Sequence, residues 1–308
     1  MNAPNVHLHT TPRAGKALFR HLAAMLAVLA AAPLLHAESS VFKVSRDGQT
    51  LYLGGTCHTL RPSDLPIPAE YSVAFDASDV LWFETDLAAM QSPETQGKML
   101  AQAVLPDGKT LPGVLSEEAW AAVEAYCGKA GIPTAAIQNF KPSMIAVTIF
   151  AIEAQRMGFT PEGVDVQLDR KARAAGKPVQ GLETVDEQIA FVMNIGKGQE
   201  DQLVLSTLRD MERLPTLLGD LVAAWRTGDL QKIDTLMSGE LRKEFPKVYE
   251  ELLVQRNKAW MPEIEAMLGS EPTEFVLVGV AHLAGTDGLL HALREAGCSI
   301  EQVKAPAN

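Results

Sequence analysis

Two histidines close the same short phrase in this chain. Leu51-Tyr52-Leu53-Gly54-Gly55-Thr56-Cys57-His58 and Phe275-Val276-Leu277-Val278-Gly279-Val280-Ala281-His282 each run from apolar residues to a glycine, with histidine three places later. Four to six apolar residues ended by glycine read as a buried strand. The histidine then sits on the loop leaving the strand's C-terminal edge, where ligands and chemistry collect in open α/β sheets. A third strand end, Val80-Leu81-Trp82-Phe83, carries Glu84, and a fourth, Pro178–Gly181, carries Glu183. Two neutral imidazoles with one or two carboxylates form an ordinary ligand set for zinc, manganese, cobalt or iron. His58, Glu84 and His282 are therefore the candidate metal ligands. An ion there would lower the pKa of its bound water and polarise the oxygen of a bond being cleaved. The remaining carboxylate could act as general base.

Each of these residues also has a plainer use. A single histidine at a strand end is often hydrogen-bonded structure, but the mature chain keeps only three, and His291 lies within the last helix. Glu183 could cap the helix starting near Thr184. Arg256-Asn257 follows Leu252-Leu253-Val254 near a helix end. The arginine could hold a carboxylate or carbonyl oxygen, with asparagine orienting it, or the pair could be a solvated helix end beside Lys258. Cys57 could be a nucleophile or a small buried residue. Three cysteines do not make a disulfide scaffold, although Cys127 and Cys298 could pair in an oxidising compartment. No His-Glu-x-x-His helix, Gly-x-Ser-x-Gly elbow, phosphate loop or dinucleotide fingerprint occurs.

The elements that must position these groups follow a leader. Arg13, Lys16 and Arg20 precede an apolar run from Leu22 to Ala32, Pro33, and a processing site at Leu35-His36-Ala37. Residues 1–37 thus read as a signal peptide, too short in its apolar part for a spanning helix of about 20 residues. The expected mature protein, residues 38–308, is periplasmic or secreted without stable membrane insertion. Losing three basic and no acidic side chains takes the net charge from −11 to −14. That acidity argues against nucleic acid, whose phosphates demand a basic face. One elaborate domain is expected from this length.

Asp47-Gly48 between Val41–Ser45 and Thr50–Gly54 signals a hairpin. Helices are expected over 69–77, from Ser116 to about Lys129, from Pro142 to Met157 and over 164–175. A long helical tract from Asp186 to Leu268 should break near Gly196, Pro215, Gly228 and Gly239. Gly288–Ala296 closes as a helix, with Ser299–Val303 returning as an edge strand. Strands thus cluster at both ends of the chain. The expected fold class is α/β, a mixed central sheet built from N- and C-terminal segments, with a helical insertion or cap over about 91–268.

Gly55-Thr56-Cys57-His58, the strand ending in Glu84, Gly176–Thr184 with Glu187-Gln188, Arg256-Asn257 and Gly279–Leu283 occur in an order that resembles the TraB/GumN family. That family is related to the TIKI metalloproteases and the pheromone-shutdown protein PrgY, and more distantly to erythromycin esterase-like and ChaN-like proteins. The resemblance implies His58, Glu84 and His282 as metal or catalytic elements, with Arg256 and Asn257 in support. Through the TIKI proteins, described as manganese- or cobalt-dependent peptidases, it implies a divalent-metal-dependent hydrolase acting on a peptide or small molecule. Two other functions stay open: a protein that sequesters a peptide or small ligand without turnover, and a metal-free esterase-like hydrolase using an imidazole as base.

Overall fold

The computed structural model describes residues 38–106 and 108–305, so the expected signal peptide lies outside the described residues. β1 (Val41–Arg46) and β2 (Gln49–Thr56) form the expected hairpin, with Arg46 opposite Gln49. Asp47 and Gly48 between them both have positive φ, 53° and 84°. That is the two-residue turn whose twist matches the strands. With β3 (Val80–Phe83), β4 (Val179–Gly181), β5 (Glu274–Gly279) and β6 (Ser299–Gln302), they make a mixed six-stranded sheet in the order β4-β3-β5-β2-β1-β6. The strands β4, β3, β5 and β2 run parallel, while β1 is antiparallel to both its neighbours. The two phrases from opposite ends of the chain become direct neighbours, with Thr56 beside Gly279.

Side chains of β5 alternate between two apolar layers. Phe275 and Leu277 pack with Tyr71 and Trp225 on one face, and Val276 and Val278 with Trp260 and Leu289 on the other. Burial on both faces explains why this strand reads as an unbroken apolar run. Each such side chain, fully buried, contributes about 1.5–3 kcal/mol.

The helices include α1 (Ala69–Asp76), α2 (Glu117–Ala130), α3 (Pro142–Arg156), α4 (Val164–Ala174), α5 (Val185–Asn194), α6 (Leu214–Thr227), α7 (Gln255–Met267) and α8 (Leu289–Glu295). Their ends follow local chemistry. The Ser116 hydroxyl accepts the Ala119 N–H at 3.2 Å, and Gly131 stops α2 with φ 72°. The expected break at Gly239 is absent. Gly239 keeps a helical φ of −61° after a π turn over Asp234–Ser238, and the chain leaves the helix at Phe245 instead. Pro246 drives this, because the residue before proline is steered away from helical angles. A second π turn, Glu250–Val254, leads directly into α7.

All three cysteines are buried and free. Cys127 packs with Val123 and Ile145, whereas Cys298 packs with Leu289 and Leu293, so the considered Cys127–Cys298 bond does not form. Among the described residues, no helix is long and apolar enough to cross a membrane.

Candidate functional site

Four parallel strands end on one edge, and each delivers a polar group there. Glu183 lies two residues past β4, Glu84 one past β3, and His58 two past β2. His282 follows β5 inside a 3-10 turn, Val280–Leu283, and not on an open loop. The sheet order therefore sets Glu183, Glu84, His282 and His58 side by side. Arg256 and Asn257 reach them from the first turn of α7, where they are 7% and 4% exposed. The solvated helix end allowed by the sequence is thereby ruled out, since the π turn feeds α7 onto the sheet edge.

Arg256 ties the carboxylates together. Its Nε and one terminal nitrogen donate to the two oxygens of Glu183 at 3.0 and 2.7 Å. The same terminal nitrogen donates to Glu84 Oε2 at 2.7 Å and to Gln188 Oε1 at 3.0 Å. The other lies 3.2 Å from His282 Nε2. Phe191 and Trp260 flank the guanidinium at 5.0 and 4.6 Å. Glu183 is not the helix cap, because the Thr184 hydroxyl and Glu187 perform that role for α5.

Both imidazoles are anchored through Nδ1. The Asn257 amide nitrogen donates to the carbonyls of His282 and Asp287 at 3.3 and 2.8 Å. Its oxygen must then accept from His282 Nδ1 at 2.7 Å, which leaves Nε2 unprotonated with its lone pair facing Arg256. His58 Nδ1 pairs with Asp165 Oδ2 at 3.3 Å, so its Nε2 also faces inward. Carboxylate and amide partners of this kind fix the ligand nitrogen in metal sites.

Asp165 is the residue that sequence reasoning missed. It sits in the first turn of α4, whose N-cap is Gly163. A Cβ at Gly163 would lie 2.4–2.5 Å from the carbonyls of Cys57 and His58, so only glycine lets α4 approach the end of β2. No local signal in Gly163-Val164-Asp165 marks Asp165, because the groups it meets lie at the end of β2. Gly279 performs the same service at the centre. Its N–H donates to Glu84 Oε1 at 2.7 Å, and a Cβ there would lie 3.2 Å from that oxygen, 3.4 Å from His58 Nε2 and 3.7 Å from His282 Cδ2.

The electrostatics separate the two histidines. Burial pushes His282 down to about 4, with Arg256 reinforcing and Glu84 opposing. Burial also works to lower His58, but Asp165 and Glu84 outweigh it and push the imidazole up to about 9. The His58 side chain is 60% exposed, so solvent screens part of that effect. Burial alone would raise Glu84, yet the His282, Arg256 and His58 charges and the Gly279 N–H hold it ionised, at about 2. Burial raises Glu183 against the pull of Arg256. Burial, with Asp165 and Asp64, pushes the Cys57 thiol far above its ordinary range, which makes it a buried strand-end residue and not a thiolate.

The donor set suits a divalent cation in type and charge. Two inward-facing Nε2 atoms and a carboxylate lie together, and Asp165 Oδ1 is buried without a partner. With neutral imidazoles, Glu84, Glu183 and Asp165 exceed Arg256 by two negative charges. Glu84 Oε1 and His282 Nε2 lie 3.9 Å apart, within reach of one ion at ligand distances of about 2.0–2.2 Å. Among the described residues, however, no three His, Cys, Asp or Glu side chains close on a single point as placed. The guanidinium holds the His282 lone pair instead.

Above this floor lies a cavity of about 420 Å³, reached by His58, Glu84, Gln188, Arg256, Gly279 and His282. A larger groove of about 1020 Å³, lined by Glu183, Phe191 and Trp260, lies on the other side of Arg256. Together they define a class: mixed α/β proteins whose parallel strands end in a His–Glu–His–Arg cluster beneath helices. A sequence model of the TraB/PrgY/gumN family matches residues 40–302. The chain belongs to that family. Over 246 residues it is 28% identical to the uncharacterized protein YbaP of Escherichia coli (strain K12), spanning 79% of this chain and 87% of that protein. The uncharacterized protein YbaP of Shigella flexneri matches to the same extent. No solved structure matches significantly.

Proposed function

We propose that this protein is an exported hydrolase working with a divalent ion held by His58, Glu84 and His282, and that it cleaves a peptide bond. One observation carries the reading: two imidazoles, each anchored at Nδ1 with Nε2 turned inward, flank an ionised carboxylate at one sheet edge. Such an ion, when bound, polarises a carbonyl and lowers the pKa of its water. The chain's own groups do the rest. Asn257 and Asp165 fix the rings, and Gly279 leaves the space between them open. Arg256, charged and buried, presents a terminal nitrogen beside His282 that can donate to a carbonyl oxygen acquiring charge. Glu183 and Gln188 hold that guanidinium in place, so Glu183 positions and does not itself touch substrate. Export rests on the basic and apolar pattern of residues 13–37.

The test is turnover of a peptide library by the purified protein, read by mass spectrometry. Cleavage should vanish in strong chelator, return with manganese, cobalt or zinc, and be absent in Glu84→Gln. The His58–Asp165 pair also favours a second reading, metal-free hydrolysis with an imidazole as base. Full activity in chelator selects it. Tight binding without product under any condition selects sequestration instead.

A further inference from the structure

The walls of the 420 Å³ cavity divide sharply by polarity. Every charged group lies on the floor, at the sheet edge. The roof is apolar: Phe150 from α3, Leu218 and Leu221 from α6, and Met237, Leu252 and Leu253. Met237 belongs to the first π turn, and Leu252 and Leu253 to the second. Extra-wide turns of this kind recur at functional sites because they re-aim side chains. The second one ends two residues before Arg256, so a single distortion sets both a roof wall and the floor guanidinium. Phe150 and Met237 remain 37% and 38% exposed, forming an apolar lip at the entrance.

We infer that this roof receives a bulky apolar side chain, leucine- or phenylalanine-like, of a peptide whose adjoining backbone carbonyl rests on the floor. The chemistry at that carbonyl rests on the hydrolase reading above; the binding preference does not. A cavity in the lower part of the usual 300–1,000 Å³ range holds one or two residues, not a folded partner. Charge pairing selects the source. Arg256 is already paired with Glu84 and Glu183, and His58 with Asp165, so a fatty acid would bring its anion to cations that already have carboxylate partners, whereas a peptide group is neutral and offers a carbonyl to Arg256.

The test is displacement of the neutral dye N-phenylnaphthylamine from the full chain, in chelator, by blocked single-residue amides. The leucine and phenylalanine amides should displace it roughly tenfold to hundredfold more tightly than the alanine and serine amides, as expected for fully burying such a side chain. Phe150→Glu and Met237→Glu, at partly exposed positions, should weaken both dye and amide at least tenfold with unchanged thermal melting. Equal displacement by all amides, unaltered affinity in both variants, or stronger displacement by decanoate overturns the inference. Selective binding without turnover keeps it and removes the hydrolase reading alone.

Discussion

Replacing Arg256 by methionine probes the cluster most severely. The guanidinium serves two carboxylates at once, with 2.7 Å contacts to Glu84 and Glu183. Methionine refills the slot between Phe191 and Trp260, so packing changes little and charge dominates. Leaving a buried partner uncompensated costs about 3–5 kcal/mol. In a protein of this size, with about 2–4 °C per kcal/mol, the melting temperature falls by roughly 10 °C. The sign with pH follows from Glu84. Its folded pKa is depressed, to about 2. It therefore contributes stability above its unfolded value of about 4.3, and that contribution is lost as pH falls. Without Arg256, burial raises this carboxyl, and raises Glu183 further. The variant's deficit should be largest at neutral pH and shrink as both carboxyls protonate in acid. Urea unfolding at neutral and mildly acid pH reads both numbers. Adding Glu84→Gln and Glu183→Gln to Arg256→Met should recover part of the loss. A deficit below about 1 kcal/mol at neutral pH, the value of an exposed pair, would refute a buried, charge-coupled cluster.

Three further outcomes are expected. Gly279→Ala should melt within a few degrees of wild type, since its φ of −48° suits any residue, yet its methyl group among Glu84, His58 and His282 should lower metal affinity and turnover at least tenfold; unchanged affinity contradicts the placement. In metal-free protein, NMR titration should find His282 near 4 and His58 near 9, and coincident transitions near the ordinary value of about 6.5 would contradict the assigned partners. Asp165→Asn should bring His58 down towards that ordinary value and weaken metal binding by roughly 10- to 100-fold, as loss of such a supporting group does; a His58 titration identical to wild type removes Asp165 from the site.

Much of this edge was legible from local patterns. Glycine after an apolar run marks a strand exit wherever the sheet is buried on both faces, and β2 and β5 both obey that rule. The convergence of His58 and His282 followed from placing both exits on one parallel edge. What stayed hidden was set by long-range packing. Nothing near Asp165 announces that α4 abuts His58, because the enabling contact is between Gly163 and a backbone more than a hundred residues away. Arg256 resembled a solvated helix end because its partners come from β3, β4 and α5. The π turns and the break at Phe245 also escaped, since Gly239 is the more conspicuous helix breaker but adopts ordinary helical angles. The three-ligand expectation did not foresee that the Arg256 guanidinium would face the His282 lone pair.

Metal titration of chelator-stripped protein by calorimetry addresses the central claim most directly. Wild type should bind one equivalent of manganese, cobalt or zinc and release protons as His58 gives up its own. His58→Ala and His282→Ala should each lose that binding while keeping the wild-type fold. Unchanged stoichiometry and affinity in both variants would contradict a shared ion at the joined ends of the chain.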